Sequence, residues 1–305
     1  MKIRIATRGS KLALWQANHV RELLSREQGV TVELVVLSTV GDRVQDRPLA
    51  EVGGKGLFVK EIEAALLDGR ADVAVHSMKD LPAGVPDGLV LAAVPPREDP
   101  RDALIVRPGL AATTVAALPQ RARLGTSSLR RVCQIKAARP DLEVIPLRGN
   151  VDTRLAKVAE GQLDAIVLAV AGLRRLGFDG RITSVLEPSE SLPAIGQGAL
   201  AIETRADDEA VRTRVARLED RATAIATAAE RGFLGRLDGS CRTPMAAHAR
   251  LAGDRLSIEG LVGRTDGSEI LRYALDGPAS EAERLGVALA ERLLARGADA
   301  ILRAG

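Results

Sequence analysis

Three times along this chain a strand-like run ends in a short turn of glycine, hydroxyl or amide side chains and arginine, and a helical pattern follows at once. The turns are Ala6-Thr7-Arg8-Gly9-Ser10, Leu124-Gly125-Thr126-Ser127-Ser128-Leu129-Arg130-Arg131 and Leu147-Arg148-Gly149-Asn150-Val151-Asp152-Thr153-Arg154. A strand that feeds straight into a helix sends the chain back over the sheet, so the next strand runs parallel to it. That order confines the chain to α/β layers, with the helix N-termini gathered outside the carboxyl ends of the strands.

The remaining pattern agrees. Ile3 to Ala6 reads as a buried strand, and Ser10 caps a helix from about Lys11 towards Arg26 with Leu12, Trp15, His19 and Leu23 on one face. Strands are expected at Thr31 to Leu37 and Val73 to His76, with a helix at Leu57 to Leu67 between them. Pro95-Pro96-Arg97-Glu98-Asp99-Pro100 breaks the pattern and reads as a hinge. A second unit follows. Its expected strands are Ala103 to Val106, Arg123 to Gly125, Glu143 to Leu147 and Ala165 to Ala169, and its helices Leu129 to Ala138 and Val151 to Ala159. After the Pro/Gly-rich link Pro188 to Gly198, the strand Ala199 to Glu203 is expected to return to the first sheet. From Asp220 a long helix to Leu234, three strands and a helix from Ser280 to Ala295 predict a small α+β domain. The division is therefore 1–96 with 199–217, then 97–198, then 218–305.

Composition narrows the class. The chain has 305 residues, 46% hydrophobic but only 2% aromatic, so its cores must be aliphatic. No apolar run approaches the roughly 18 residues that cross a bilayer, and the opening Met1-Lys2-Ile3-Arg4-Ile5 lacks the pattern of a signal peptide. Cys133 and Cys241 are too few for a disulfide framework, which suits a reducing cytosol. His19, His76 and His248 form no metal-spaced cluster with either, so no metal is expected. The net charge of +3 permits weak nucleic-acid binding, but the scarcity of aromatics and the absence of a basic tail argue against it.

Each arginine-bearing turn alone is compatible with an ordinary capped helix start. Three together, with Arg174-Arg175 after a further strand, point to a polyanionic ligand held by guanidinium forks and helix N-termini. Gly53-Gly54-Lys55-Gly56-Leu57-Phe58 has neither the spacing nor the hydroxyl of a nucleotide-binding loop. Val73-Ala74-Val75-His76-Ser77-Met78-Lys79-Asp80-Leu81-Pro82 sets a lysine and a carboxylate at a strand end, suited to stabilising a developing cation or moving a proton, and equally to a surface ion pair. Cys241, in Leu237-Asp238-Gly239-Ser240-Cys241-Arg242-Thr243-Pro244, reads evenly as a reactive thiol or a small buried filler. A non-catalytic solute-binding module stays open, since paired α/β domains around an anion site describe those proteins too.

These strings, together with Leu12-Ala13-Leu14-Trp15-Gln16-Ala17, Ala169-Val170-Ala171-Gly172-Leu173 and Pro193-Ala194-Ile195-Gly196-Gln197-Gly198, closely resemble the porphobilinogen deaminases (hydroxymethylbilane synthases) in order and over nearly the whole chain. The resemblance implies two doubly wound domains similar to periplasmic binding proteins plus a smaller α+β C-terminal domain. It also implies a cytoplasmic, monomeric transferase of tetrapyrrole and haem biosynthesis. Such an enzyme joins four porphobilinogens head to tail with loss of ammonia, on a dipyrromethane cofactor bound through a thioether, and water releases hydroxymethylbilane. No metal, nucleotide, nucleic acid or membrane takes part.

By position the resemblance makes Cys241 the attachment point and Asp80 the catalytic carboxylate. Lys79, Ser77, Thr126, Ser128, Arg130, Arg131 and Asp42 would hold the cofactor. Arg8, Ser10, Arg148, Asn150, Arg154, Arg175 and Gln197 would hold substrate or growing chain. Lys55 and Phe58 would belong to a loop closing over the cleft, and Cys133 is expected to do no more than pack.

Overall fold

The structure, a computed structural model, describes residues 1–26, 29–39, 41, 59–237 and 244–304. In chain order the first elements are β1 (Lys2–Arg8), α1 (Lys11–Ser25), β2 (Thr31–Leu37), α2 (Lys60–Leu67), β3 (Val73–Ser77) and β4 (Leu89–Ala93). Then come β5 (Asp102–Val106), β6 (Arg123–Gly125), α3 (Leu129–Ala138), β7 (Glu143–Ile145), α4 (Val151–Ala159), β8 (Ala165–Ala169), α5 (Val170–Arg175) and β9 (Ser184–Leu186). The chain ends with β10 (Leu200–Arg205), α6 (Glu209–Val215), α7 (Arg221–Arg236), β11 (Met245–Ala252), β12 (Arg255–Gly263), β13 (Ile270–Pro278), α8 (Ala282–Leu294) and α9 (Ala298–Ala304). Two compact units result, residues 1–98 with 198–224 and residues 99–197 with 225–305.

The first unit is built on a five-stranded sheet in the order β2-β1-β3-β10-β4. Strands β1, β2 and β3 are parallel, while β10 runs antiparallel between β3 and β4. Alternation along the strands divides the core. Ile3, Ile5, Val73 and Val75 face α1 and α6, whereas Ala6 and Ala74 face Ile62, Ala65 and Leu66 of α2. Both faces of the sheet are thus covered, as continuous apolar strands require.

One sequence expectation needs correction here. The buried stripe of α1 is Gln16, Ala17, Val20 and Leu24, not Leu12, Trp15, His19 and Leu23. Trp15 is 36% exposed and stacks on His19 with ring centroids 5.1 Å apart. Adjacent residues on a helix differ by about 100°, and the polar Gln16 disguises the stripe that actually faces the sheet.

The second unit repeats the wiring with the order β7-β6-β8-β5-β9, in which β5 is the antiparallel insert. Ala103, Ile105, Ile166 and Leu168 face α4 and α5, and Leu104, Leu124, Ala165 and Val167 pack with Ile135 of α3 on the other side. A small polar device recurs in both units. Asp72 ahead of β3 accepts from the Arg4 N–H at 2.9 Å and donates its own N–H to Arg4 O. Asp164 ahead of β8 accepts from the Arg123 N–H at 2.8 Å and donates to Arg123 O. Each pins the register of its two neighbouring parallel strands.

The same unit contains the antiparallel sheet β11-β12-β13, on which α7, α8 and α9 pack around the fully buried Phe233. Helices α7 and α8 approach backbone to backbone. A Cβ added at Gly286 would fall 1.9 Å from Ala229 O, so only glycine permits the contact. The helix α9 was not anticipated from sequence. It follows Gly297, whose φ of +98° ends α8 and redirects the chain.

Candidate functional site

In the first unit, β3 ends at Ser77 and a single 3-10 turn, Met78–Asp80, follows. Met78 and Leu81 are 2% and 7% exposed and anchor the turn, so Lys79 and Asp80 between them are displayed to solvent. The Met78 N–H donates to Ala199 O and the Leu81 N–H closes on Met78 O, which fixes the turn from both sides. Asp80 lines a pocket with Arg8, Ser10, Gln16, His76 and Ser77.

The pocket's polar groups are held in place. Ser10 is the N-cap of α1 and accepts from the Ala13 N–H at 3.3 Å. Gln16 Nε2 donates to Ser77 Oγ at 2.7 Å, which leaves the Ser77 hydroxyl proton to point elsewhere. Behind them, His76 Nε2 lies 3.1 Å from Glu203 Oε2, both side chains buried. Burial, and then Glu203, push the Glu63 carboxyl above its ordinary value, with His76 and Lys60 opposing. The sequence reading assigned no site role to Gln16, His76 or Glu203. The available signal was a polar residue inside an apolar stripe or strand.

In the second unit two of the three turns are tied together. Ser127 Oγ donates to Leu147 O at 3.0 Å and accepts from the Leu147 N–H at 2.8 Å. Thr126, 4% exposed, accepts the Ser128 N–H on its Oγ1 at 3.3 Å. Ser128 and Asn150 occupy the N-cap positions of α3 and α4 with extended backbone, but neither side chain caps its helix. The cap side chain therefore takes up none of the first N–H groups of α3, whereas at α4 the Thr153 N–H already donates to Asp152 Oδ1 at 3.0 Å. Gly149 has φ +109°, a conformation that lets Arg154 Nε donate to Gly149 O at 2.8 Å. Arg148 is half-buried, and its Nη1 is enclosed without a hydrogen-bond partner.

The other predicted donors converge on a residue that sequence reasoning missed. Asp102, fully buried, takes five donors on its two carboxylate oxygens. Oδ1 accepts from Arg130 Nη2 (3.2 Å), Arg131 Nη2 (2.7 Å) and Gln197 Nε2 (2.9 Å). Oδ2 accepts from Arg130 Nη1 and Ser191 Oγ, both at 2.8 Å. Burial alone would raise the Asp102 carboxyl, but Arg130 and Arg131 outweigh it and hold it far below the usual carboxylate range. Arg130 and Arg131 are 5% and 7% exposed and Gln197 1%. Two guanidiniums against one carboxylate leave the cluster one positive charge in excess. Arg175, in α5, is 9% exposed. Arg174 pairs with Asp99 and Asp179 instead.

Cys133 is fully buried, and burial, with Asp266 nearby, pushes its thiol up to about 11, so it stays protonated and inert. Among the described residues no group of three His, Cys, Asp or Glu could hold a metal ion, and no helix is long and apolar enough to cross a membrane. Asp42, Lys55, Phe58 and Cys241 lie outside the described residues.

The chain matches two family models over most of its length. Residues 3–213 match the porphobilinogen deaminase dipyrromethane cofactor binding domain and residues 224–295 the porphobilinogen deaminase C-terminal domain. It is 54% identical over 303 residues to the porphobilinogen deaminase of Syntrophotalea carbinolica, covering 99% of this chain and 95% of that one. To the enzyme of the same name from Geobacter metallireducens it is 52% identical over 302 residues, covering 99% and 94%. Among solved structures, the periplasmic aliphatic sulphonate binding protein of Escherichia coli overlaps at a TM-score of 0.40 and 15% identity, covering 77% of this chain and 70% of that one. That overlap is too loose to carry an argument.

Proposed function

Because the chain belongs to the porphobilinogen deaminase family, we propose that it is a cytoplasmic, monomeric transferase. It condenses four porphobilinogens head to tail, expelling one ammonia for each, and lets water release linear hydroxymethylbilane. The observation that carries the chemistry is Asp80, a carboxylate displayed at a strand end among the donors Arg8, Ser10 and Ser77 of one pocket.

The residues present fit a dipyrromethane. Its acetate and propionate groups call for cations and N–H donors. The second unit offers the enclosed Arg148 Nη1, the α3 N-terminus left uncapped by the Ser128 side chain, and the excess positive charge around Asp102. Cys241 would hold the group through sulfur, with Lys79, Ser77, Thr126, Ser128, Arg130, Arg131 and Asp42 as further contacts. When bound, the dipyrromethane supplies the priming pyrrole to which units are joined.

The chain's own residues then perform distinct tasks. Arg8, Ser10, Arg148, Asn150, Arg154 and Arg175 neutralise and orient carboxylates, since a guanidinium fork matches both carboxylate oxygens at once. Asp80 accepts the substrate's pyrrole N–H and stabilises the cation left on the substrate as ammonia departs; it can also take the proton lost when a new carbon–carbon bond forms. The Gln16–Ser77 bond uses the Ser77 oxygen as acceptor, so its hydroxyl proton can be donated to a ligand in the pocket. Lys55 and Phe58 would close the loop over bound substrate.

Intact-mass measurement of the purified chain tests this. The expected result is a covalent addition equal to two linked pyrrole units, lost in Cys241→Ala. An unmodified wild-type chain, after expression with ample porphobilinogen, overturns the reading.

A further inference from the structure

Gln197 occupies an unusual place in the second unit. It is 1% exposed, and its side-chain amide nitrogen donates to Pro100 O at 2.6 Å and to Asp102 Oδ1 at 2.9 Å. An amide nitrogen has two hydrogens, so those two acceptors use both. On the other side of the same turn, the Gly196 N–H donates to Glu230 Oε2 at 2.6 Å.

Glu230 is itself fully buried on α7, and its other oxygen accepts from the Ala249 N–H of β11 at 2.9 Å. Helix α7 enters the segment that contains Cys241 and β11 leaves it. One carboxylate, carried on the helix before Cys241, therefore bonds to the strand after it and to the turn at Gly196. From that turn Gln197 continues the path to Asp102, and Asp102 to the Arg130 and Arg131 forks.

We propose that Gln197 is a positioning residue: it joins the Glu230 anchor to the Asp102 cluster and so sets where the two guanidiniums stand. This rests on the reading above, in which those arginines serve carboxylates of the cofactor. Gln197 then acts through the arginines, a role different from the direct hold on substrate or growing chain that its position by resemblance implies. The two buried carboxylates give the joint fixed ends: Asp102 is an ion enclosed among five donors, which cannot move without stranding charge, and Glu230 is held by the N–H groups of Gly196 and Ala249. The amide is the adjustable link between them, and its loss frees the arginine pair to drift by a fraction of an ångström.

The test uses the full chain carrying Gln197→Met, which keeps volume but removes both donors, Arg130→Lys, and the pair together. Three quantities are measured: the rate at which apo-chain acquires the covalent addition from porphobilinogen, followed by intact mass; KM and kcat of loaded chain; and Tm. Gln197→Met is expected to raise KM and slow acquisition by roughly three- to ten-fold, the size of one ordinary hydrogen bond, with a smaller change in kcat. In the Arg130→Lys background the same change should add less than it does alone, because both act through the Asp102 cluster. A lowered Tm with unchanged KM and acquisition rate reduces Gln197 to packing and overturns the proposal. Effects that multiply fully in the double variant overturn it too, since they mean Gln197 acts independently of the Asp102 cluster. A wild-type chain that acquires no addition defeats the underlying functional reading instead, so the two failures are distinguishable.

Discussion

Replacing Asp102 by Asn removes the whole negative charge of an acceptor that takes five donors. The asparagine oxygen can keep the three donors now on Oδ1, but its amide nitrogen then faces Arg130 Nη1, a donor it cannot satisfy, and Ser191 Oγ, which must turn from donor to acceptor. The larger loss is the counter-charge to two guanidiniums that are 5% and 7% exposed. Breaking a buried pair in this way costs about 3–5 kcal/mol, a large share of the roughly 5–15 kcal/mol that holds a domain together. For a unit of this size that is a fall in Tm of about 6–20 °C. The pH dependence supplies a second reading of the same group. Its carboxyl is depressed in the folded chain, so its contribution is complete above the unfolded value of about 3.9 and is lost as pH falls below it. Urea titrations followed by near-UV circular dichroism should therefore show wild type and Asp102→Asn converging in stability as the pH drops below about 4. A difference under about 1 kcal/mol at pH 7, or parallel curves through that acid range, would falsify the view of Asp102 as the keystone of this cluster.

Four further outcomes follow from particular contacts. Asp80→Asn should keep the covalent addition while turnover, followed as ammonia release, falls about 10²- to 10⁴-fold; near-normal turnover removes Asp80 from the chemistry. Arg148→Leu should slow acquisition of the addition roughly ten-fold or more, as expected for one charge-assisted hydrogen bond, and an unchanged rate means its enclosed Nη1 serves no carboxylate. Gly286→Ala should lower Tm although alanine favours helix by about 1 kcal/mol, because its methyl would meet Ala229 O; a rise in Tm refutes the close helix contact. Under native conditions iodoacetamide should leave Cys133 unmodified while labelling unloaded Cys241, and mass mapping that finds Cys133 alkylated contradicts its burial.

The strands and helices that carry the turns were legible because their signals are local. Gly125, Asn150 and the flanking apolar runs mark where a strand stops and a helix starts, and α3 and α4 span the residues the pattern gives. The partners of the arginines were not legible. Arg130 and Arg131 look like surface forks beside a helix start, and their common acceptor, Asp102, opens a different strand. No period or motif connects residue 102 to residues 130, 131, 191 and 197; only the fold does. Gln16 was missed for a related reason, since its value lies in Ser77, which belongs to another element. The edge strands β4 and β9 were not anticipated, because neither leads through a glycine turn into a helix as β1, β6 and β7 do.

The insertion of β10 between β3 and β4 has a consequence for how this protein is made. Both neighbours leave the ribosome long before residues 200–205 exist, and β3 meanwhile presents a bare edge bearing Val73 and Val75. At ordinary translation speeds that interval lasts on the order of ten seconds, ample time for an unpaired edge to recruit another nascent chain. A message truncated anywhere between β4 and β10 should therefore yield insoluble product, and the cell's defence against that fate must act during elongation rather than after it.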